Sequence, residues 1–299
     1  MRRVGEFIGR AGMRAAVFAA RGVPRALARR IAPVAASRIS RRRGSALANA
    51  SRINQYVVSG RTLSGAALDA AVRENVQSMG LFLYDFYKVL GDETAEDALV
   101  VRDDEFHSFL ERERTAGPFV YVGVHMGNFD LIGRALGRAG WRMQVLSVPD
   151  PSGSYQWQNE VREQAGFEVT PVSVASLKEA ARRLDRGESF LTGVDRPMPE
   201  PDKVEPRFFG LPAPLPLLHI RLAMRAGVPV IPFGGRRTED GRYKLRAADP
   251  VSMLPGRPTP ELLLANAEAV LAPAERLIAE APAQWSMPHV VWQGVEPPG

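Results

Sequence analysis

His125 and Asp130 lie five residues apart in the run His125-Met126-Gly127-Asn128-Phe129-Asp130. Imidazole is the side chain best suited to take a proton from a hydroxyl near neutral pH. A carboxylate at its second nitrogen would fix the tautomer and stabilise the imidazolium. Gly127 permits a tight turn that can fold Asp130 back onto His125. Backbone N–H groups at a following helix start could then face a developing oxyanion. The spacing alone is a weak pattern, and a histidine at the mouth of a strand is often a satisfied structural residue.

Other residues stand at comparable positions. Asp195-Arg196-Pro197 follows an apolar run and offers a second carboxylate at a strand end, or an ordinary turn aspartate before proline. Arg207-Phe208-Phe209-Gly210, with the Pro-Ala-Pro after it, is an apolar loop carrying one cation. Such a loop suits an acyl chain, or is simply a proline-rich surface loop. Arg162 falls in a helix that can face the same mouth, where a solvated arginine is the alternative.

These residues need a scaffold, and the alternation of patterns supplies one. Residues 119–124 (FVYVGV) form a short apolar run, as a strand covered on both faces should. Strands are also expected at 141–148, 167–172, 189–194 and 228–233, with helices at 131–139, 155–165, 174–185 and 216–226 between them. This is an α/β fold, with a mostly parallel central sheet covered by helices. In such sheets ligands bind beyond the carboxyl ends of the strands. Residues 45–90 read as helices, most clearly 63–91. A short strand is expected at 97–102, a helix at 104–115 and a hairpin turn at 237–244. The last helix, 261–280, should be kinked or broken near Pro273.

Composition limits the chemistry. The 299 residues contain no cysteine and four histidines, so thiolate nucleophiles, disulfides and thiolate metal sites are excluded. The sequence lacks a Gly-x-Ser-x-Gly elbow, a Gly-x-Gly-x-x-Gly fingerprint, a Walker loop and His-Glu-x-x-His. Direct transfer without a covalent enzyme intermediate is the natural reading, with no cofactor and no metal.

The net charge of +6 is unevenly spread. Residues 1–52 hold thirteen arginines and one acid, Glu6, a net +12, which leaves −6 for the remaining chain. The segment 4–39 mixes arginines with Val4, Phe7, Ile8, Met13, Val17 and Phe18, the pattern of a helix lying in a membrane interface. The run carries too many arginines for a signal peptide, and no apolar run is long enough to cross a bilayer. Two parts are therefore expected: an amphipathic membrane-associating segment, 1–52, and a single α/β domain, 53–299. An anionic membrane surface is the expected partner. Nucleic acid is not, because the core shows no basic face with interleaved aromatics.

Four blocks in order carry a resemblance: VHMGNFD, VREQAGFEVTPV, GVDRPMP with RFFGLPAPLPLLHIRLAMRAGVPVIPF, and PAQWSMPHVVW. Over about residues 77–292 the chain resembles the bacterial lipid A late acyltransferases (lauroyl/myristoyl transferases) and the related phosphatidylinositol mannoside acyltransferases. The resemblance implies a glycerolipid-acyltransferase-like fold and an O-acyltransferase at the cytoplasmic face of the inner membrane. The donor would be a thioester of acyl-carrier protein or coenzyme A, and the acceptor a hydroxyl of a membrane glycolipid or lysophospholipid. It implies that His125 is the catalytic base and Asp130 its acidic partner. Arg162, Asp195, Arg196, Arg207, Phe208, Phe209 and His289 would contact substrate. A non-catalytic lipid-binding protein and a lipid or thioester hydrolase are the alternative readings.

Overall fold

The computed structural model describes residues 10–42, 44–149, 151, 153–198 and 204–298. Val4, Phe7 and Ile8 of the amphipathic segment, and 199–203 of the proline-rich loop, lie outside the described residues.

The apolar runs become strands β1 (Val100–Val101), β2 (Val120–Gly123), β3 (Gln144–Ser147), β4 (Glu168–Pro171), β5 (Phe190–Gly193), β6 (Arg207–Phe208), β7 (Leu211–Pro212), β8 (Val230–Arg237) and β9 (Tyr243–Ala247). Seven of them form one sheet in the order β1-β9-β8-β2-β5-β3-β4, and β6 and β7 pair as a small separate ribbon. From β8 to β4 all neighbours are parallel. At the other edge β9 turns back antiparallel on β8, and β1 runs parallel to β9. The chain leaves β2 toward β3 on one side and leaves β5 toward β8 on the other. The crevice between the carboxyl ends of β2 and β5 is thus the topological switch point.

Eleven described helices surround the sheet: α1 (Arg10–Gly22), α2 (Arg25–Arg41), α3 (Ala46–Val58), α4 (Gly65–Val89), α5 (Glu93–Ala98), α6 (Asp104–Ala116), α7 (Phe129–Arg138), α8 (Ser154–Glu163), α9 (Val174–Asp185), α10 (Leu218–Ala226) and α11 (Pro260–Ala279). Alternation along β2 divides the core. Val120 and Val122 join residues of α9, α10 and α11, whereas Tyr121 joins residues of α4, α6 and α7. On the second face Tyr121, Trp141 and Phe233 meet edge to face with ring centroids 5.0–6.1 Å apart.

Two expectations are corrected. Pro273 does not break the last helix: α11 runs unbroken through it. The apolar row Leu263, Ala267, Val270, Leu271, Ala274 and Ile278 is buried along its length, and this burial outweighs the one lost backbone bond. The amphipathic segment is two helices, not one, because the chain turns at Val23-Pro24. There Val23 O accepts from Tyr84 Oη (2.7 Å) and Lys88 Nζ (2.9 Å), and Leu90 O accepts from Arg21 Nη2 (2.6 Å). The inner face docks on α4 through Met13 and Ala36. Facing outward, Phe18 is 81% exposed, and Leu27, Ile31 and Val34 are exposed at i, i+4 and i+7. Among the described residues no helix is long and apolar enough to cross a membrane.

One buried group in the scaffold makes stability depend on pH. His219 of α10 is 3% exposed, and its Nδ1 has no partner among the described residues. Burial pushes its pKa down to about 4. Unfolded histidine titrates near 6.5, so between about pH 6.5 and 4 the unfolded chain binds the extra proton. This contribution is full above that window and is lost as pH falls through it. Urea unfolding should lose about 2–3 kcal/mol from this group between pH 7 and 4.5. His219→Leu should flatten that loss, and equal slopes in the two proteins would count against it.

Candidate active site

The strands β2 and β5 end alike. The register pairs Gly123 with Gly193, and each glycine is followed by a buried valine and then a titratable side chain. The sequences Gly123-Val124-His125 and Gly193-Val194-Asp195 therefore deliver an imidazole and a carboxylate side by side at the switch point. His125 Nδ1 lies 2.5 Å from Asp195 Oδ1. Asp195 Oδ2 accepts from the His125 backbone N–H (2.9 Å) and from Trp285 Nε1 (2.7 Å). A β-carbon on Gly193 would come within 3.3 Å of His125 Cε1, so the absence of a side chain there makes room for the ring.

Asp195 is 0% exposed, whereas the His125 side chain is 25% exposed. Burial alone would raise the Asp195 pKa. The facing imidazole and the hydrogen bonds from His125 and Trp285 outweigh it and hold the carboxyl below the ordinary carboxylate range. A charged Asp195 accepts the Nδ1 proton, which leaves the Nε2 lone pair of His125 directed away from the carboxylate and able to take a proton.

The expected pairing of His125 with Asp130 is not formed. Asn128 caps α7 by accepting from Leu131 N, and it anchors the turn by donating Nδ2 to Phe82 O (2.9 Å). Gly127 has φ +56° and packs so closely on Gly235 that a β-carbon would sit 2.8 Å from its carbonyl oxygen. Asp130 then falls in the first turn of α7, where a carboxylate is favoured, and faces α8. Its Oδ1 accepts from Arg162 Nε at 2.8 Å. Arg162 Nη1 also meets Asn159 Oδ1 at 3.4 Å. The guanidinium lies 5.9 Å from the centroid of the Phe129 ring, and that ring meets the His125 imidazole edge to face at 5.1 Å. Asp130 thus orients Arg162, one aromatic ring away from the imidazole. Of the expected backbone donors, Met126 N–H and Gly127 N–H are already bonded to Val124 O and Gln284 O.

The closing segment was expected to contribute, and it does so from below. Ser286 N–H donates to His125 O (2.7 Å), and Met126 forms an isolated bridge with Trp285. Asn75 Nδ2 donates to Trp285 O and Ala283 O, and Asn54 Nδ2 to Met287 O and His289 O. These two buried amides on α3 and α4 hold the segment that holds Asp195. Sequence reasoning missed both, because an asparagine on a helix shows no partner by its spacing. It also missed the pairing of His125 with Asp195. The signal was present in the matching Gly-Val-His and Gly-Val-Asp strand ends.

Trp285→Phe should keep the ring and remove the donor. Asp195, still buried, then protonates more readily, at a cost of about 1–3 kcal/mol in stability. Turnover should fall about tenfold, which thermal melts and initial rates on the same preparation would check. Unchanged turnover in a folded variant would remove Trp285 from the site.

The remaining candidates are dispersed. Arg196 stacks on Tyr155 at 4.6 Å. Arg207 is exposed on the β6–β7 ribbon and donates to Gly210 O. Phe208 is 0% exposed, stacked on Trp292 at 5.6 Å, and so belongs to the core and not to an open acyl channel. Phe209 is half-buried beside it at φ +51°. His289 is exposed, with its carbonyl held by Asn54. Among the described residues no group of three or more His, Asp or Glu can hold a metal ion.

The chain was compared with known proteins. It matches the model of one family, described as bacterial lipid A biosynthesis acyltransferase, over residues 1–293. No curated protein matches the chain.

Proposed function

From the premise that the chain belongs to the bacterial lipid A biosynthesis acyltransferase family, and so transfers acyl groups to a lipid, we propose the donor, the acceptor and the residues that do the chemistry. The donor is a fatty acyl thioester of acyl-carrier protein or coenzyme A. The acceptor is a hydroxyl of a membrane glycolipid or lysophospholipid. The observation that carries this reading is the His125–Asp195 contact at the switch point, with one imidazole nitrogen left for substrate.

His125 Nε2 takes the proton as the acceptor hydroxyl attacks the thioester carbonyl. Asp195 holds the ring and stabilises the imidazolium. The carbonyl oxygen becomes an oxyanion, opposite which Arg162, aimed by Asp130, supplies positive charge. Collapse expels the thiolate, which receives the proton from His125. Arg196, Arg207, Phe209 and His289 remain candidates for substrate contact farther out.

The acceptor is a lipid, so the enzyme has to work at a bilayer. We place it on the cytoplasmic membrane as a peripheral protein, with α1 and α2 against the surface. The exposed Phe18, Leu27, Ile31 and Val34 among arginines support this reading.

The test is product analysis by mass spectrometry. Purified protein is incubated with a bacterial lipid extract and either acyl-CoA or acyl-carrier protein. A newly acylated lipid is the expected product; its mass names the acceptor and the acyl chain, and the incubation that yields it names the donor. Free fatty acid with no acylated lipid would replace the transferase reading by a hydrolase.

A further inference from the structure

Two cations at the rim of the mouth share a single carboxylate, Asp85, which pairs with Arg237 alone. Gly241, buried at φ +87° in the turn between β8 and β9, lies under both. Arg29 Nη2 of α2 is 2.6 Å, and Arg237 Nη2 of β8 is 2.9 Å, from the point a β-carbon on Gly241 would occupy. The two nitrogens are therefore no more than 5.5 Å apart, the sum of those lengths. Arg29 makes no ion pair among the described residues. Arg237 Nε is buried without a hydrogen bond, and its nearest carboxylate oxygen, on Asp85, is 3.9 Å away. Asp85 is itself bonded to Tyr243 Oη at 2.6 Å. Asp240 of the same turn is taken by Arg242. Arg25, one helical turn before Arg29, acts with it on the Tyr84 hydroxyl and adds further positive charge.

Like charges this close repel unless an anion lies between them. Charge-assisted N–H···O bonds are about 2.8 Å long, so one oxygen can span donors about 5.6 Å apart, and a phosphate offers several. The pair also stands at the working end of the sheet. Phe233 of β8 pairs with Gly123, and Arg237 lies four residues farther, roughly 13 Å along the strand in the direction of His125. Arg29 belongs to the helix whose other face exposes Leu27, Ile31 and Val34.

We propose that Arg29 and Arg237 form a binding site for a phosphate monoester, delivered at the membrane surface by a phosphorylated lipid. Binding is read without an acyl donor, so its outcome is independent of the acyl-transfer proposal.

The full chain is titrated with phosphatidylcholine vesicles carrying either phosphatidic acid, a monoester, or phosphatidylglycerol, a diester, at matched surface charge. Wild type should prefer the phosphatidic acid vesicles by about tenfold, the scale of one charge-assisted contact. Arg29→Gln and Arg237→Gln should each abolish the preference. Arg38→Gln removes an exposed arginine elsewhere on α2. It should weaken both vesicle types alike, by about fivefold, the effect of about 1 kcal/mol per surface arginine. A second arm measures the melting temperature with inorganic phosphate alone. Stabilisation of wild type but not of Arg29→Gln, with no vesicle preference, would keep the phosphate site and overturn the lipid as its source. If Arg29→Gln and Arg237→Gln match Arg38→Gln in both arms, the site does not exist.

Discussion

Replacing His125 with alanine should lower turnover by about 10²–10⁴-fold, the usual contribution of a positioned general base. The fold should survive. The His125 side chain is partly exposed, and the backbone bonds through its N–H and carbonyl do not need the ring. The protein should still bind vesicles and lipid, because α1 and α2 lie outside the dyad. Initial rates with either thioester donor and a total lipid acceptor would measure the loss. Turnover within tenfold of wild type in a folded variant would make the imidazole structural and end the general-base mechanism.

Asp195→Asn should be nearly as costly, and for a different reason. The carboxylate accepts three hydrogen bonds, from His125 Nδ1, His125 N and Trp285 Nε1. An amide oxygen can satisfy the two at Oδ2, but the amide nitrogen then faces Nδ1 and must donate to it. The imidazole is forced into the other tautomer, with its proton on Nε2, where a base needs a lone pair. A comparable change in a protease His–Asp pair costs about 10⁴-fold in turnover, and a loss of that order is expected here. Asp130→Asn makes the contrast. It weakens the grip on Arg162 and leaves the tautomer alone, so about tenfold is expected from a partly exposed ion pair. Parallel rate measurements decide between the two carboxylates. A larger loss at Asp130 than at Asp195 would mean that the working pair differs from the one in the structure.

The strands of this fold were legible because burial on both faces leaves short apolar runs, and four of the five parallel strands fall within their expected ranges, while β8 runs on from 233 to Arg237 where it pairs with β9. His125 was legible for the same reason, standing at the end of the first of them. Its partner was harder to read. A carboxylate five residues away along the chain is the obvious candidate by distance in sequence, yet a helix cap at Asn128 turns it toward α8. The true neighbour is 70 residues away, beside His125 because parallel pairing puts Gly193 next to Gly123. Register is a property of two strands at once, and no single stretch records it. Asn54 and Asn75 were invisible for a related reason, since each answers to backbone carbonyls more than 200 residues away.

That separation has a kinetic side. Trp285 follows Asp195 by 90 residues. At 5–20 residues per second the ribosome needs roughly 5–18 s to make the stretch between them. Throughout that interval a nascent chain can already pair β2 with β5 and bring His125 to Asp195, with the carboxylate lacking one donor and the floor beneath it open. The pair therefore gains its full set of hydrogen bonds only when the distant C-terminal segment arrives.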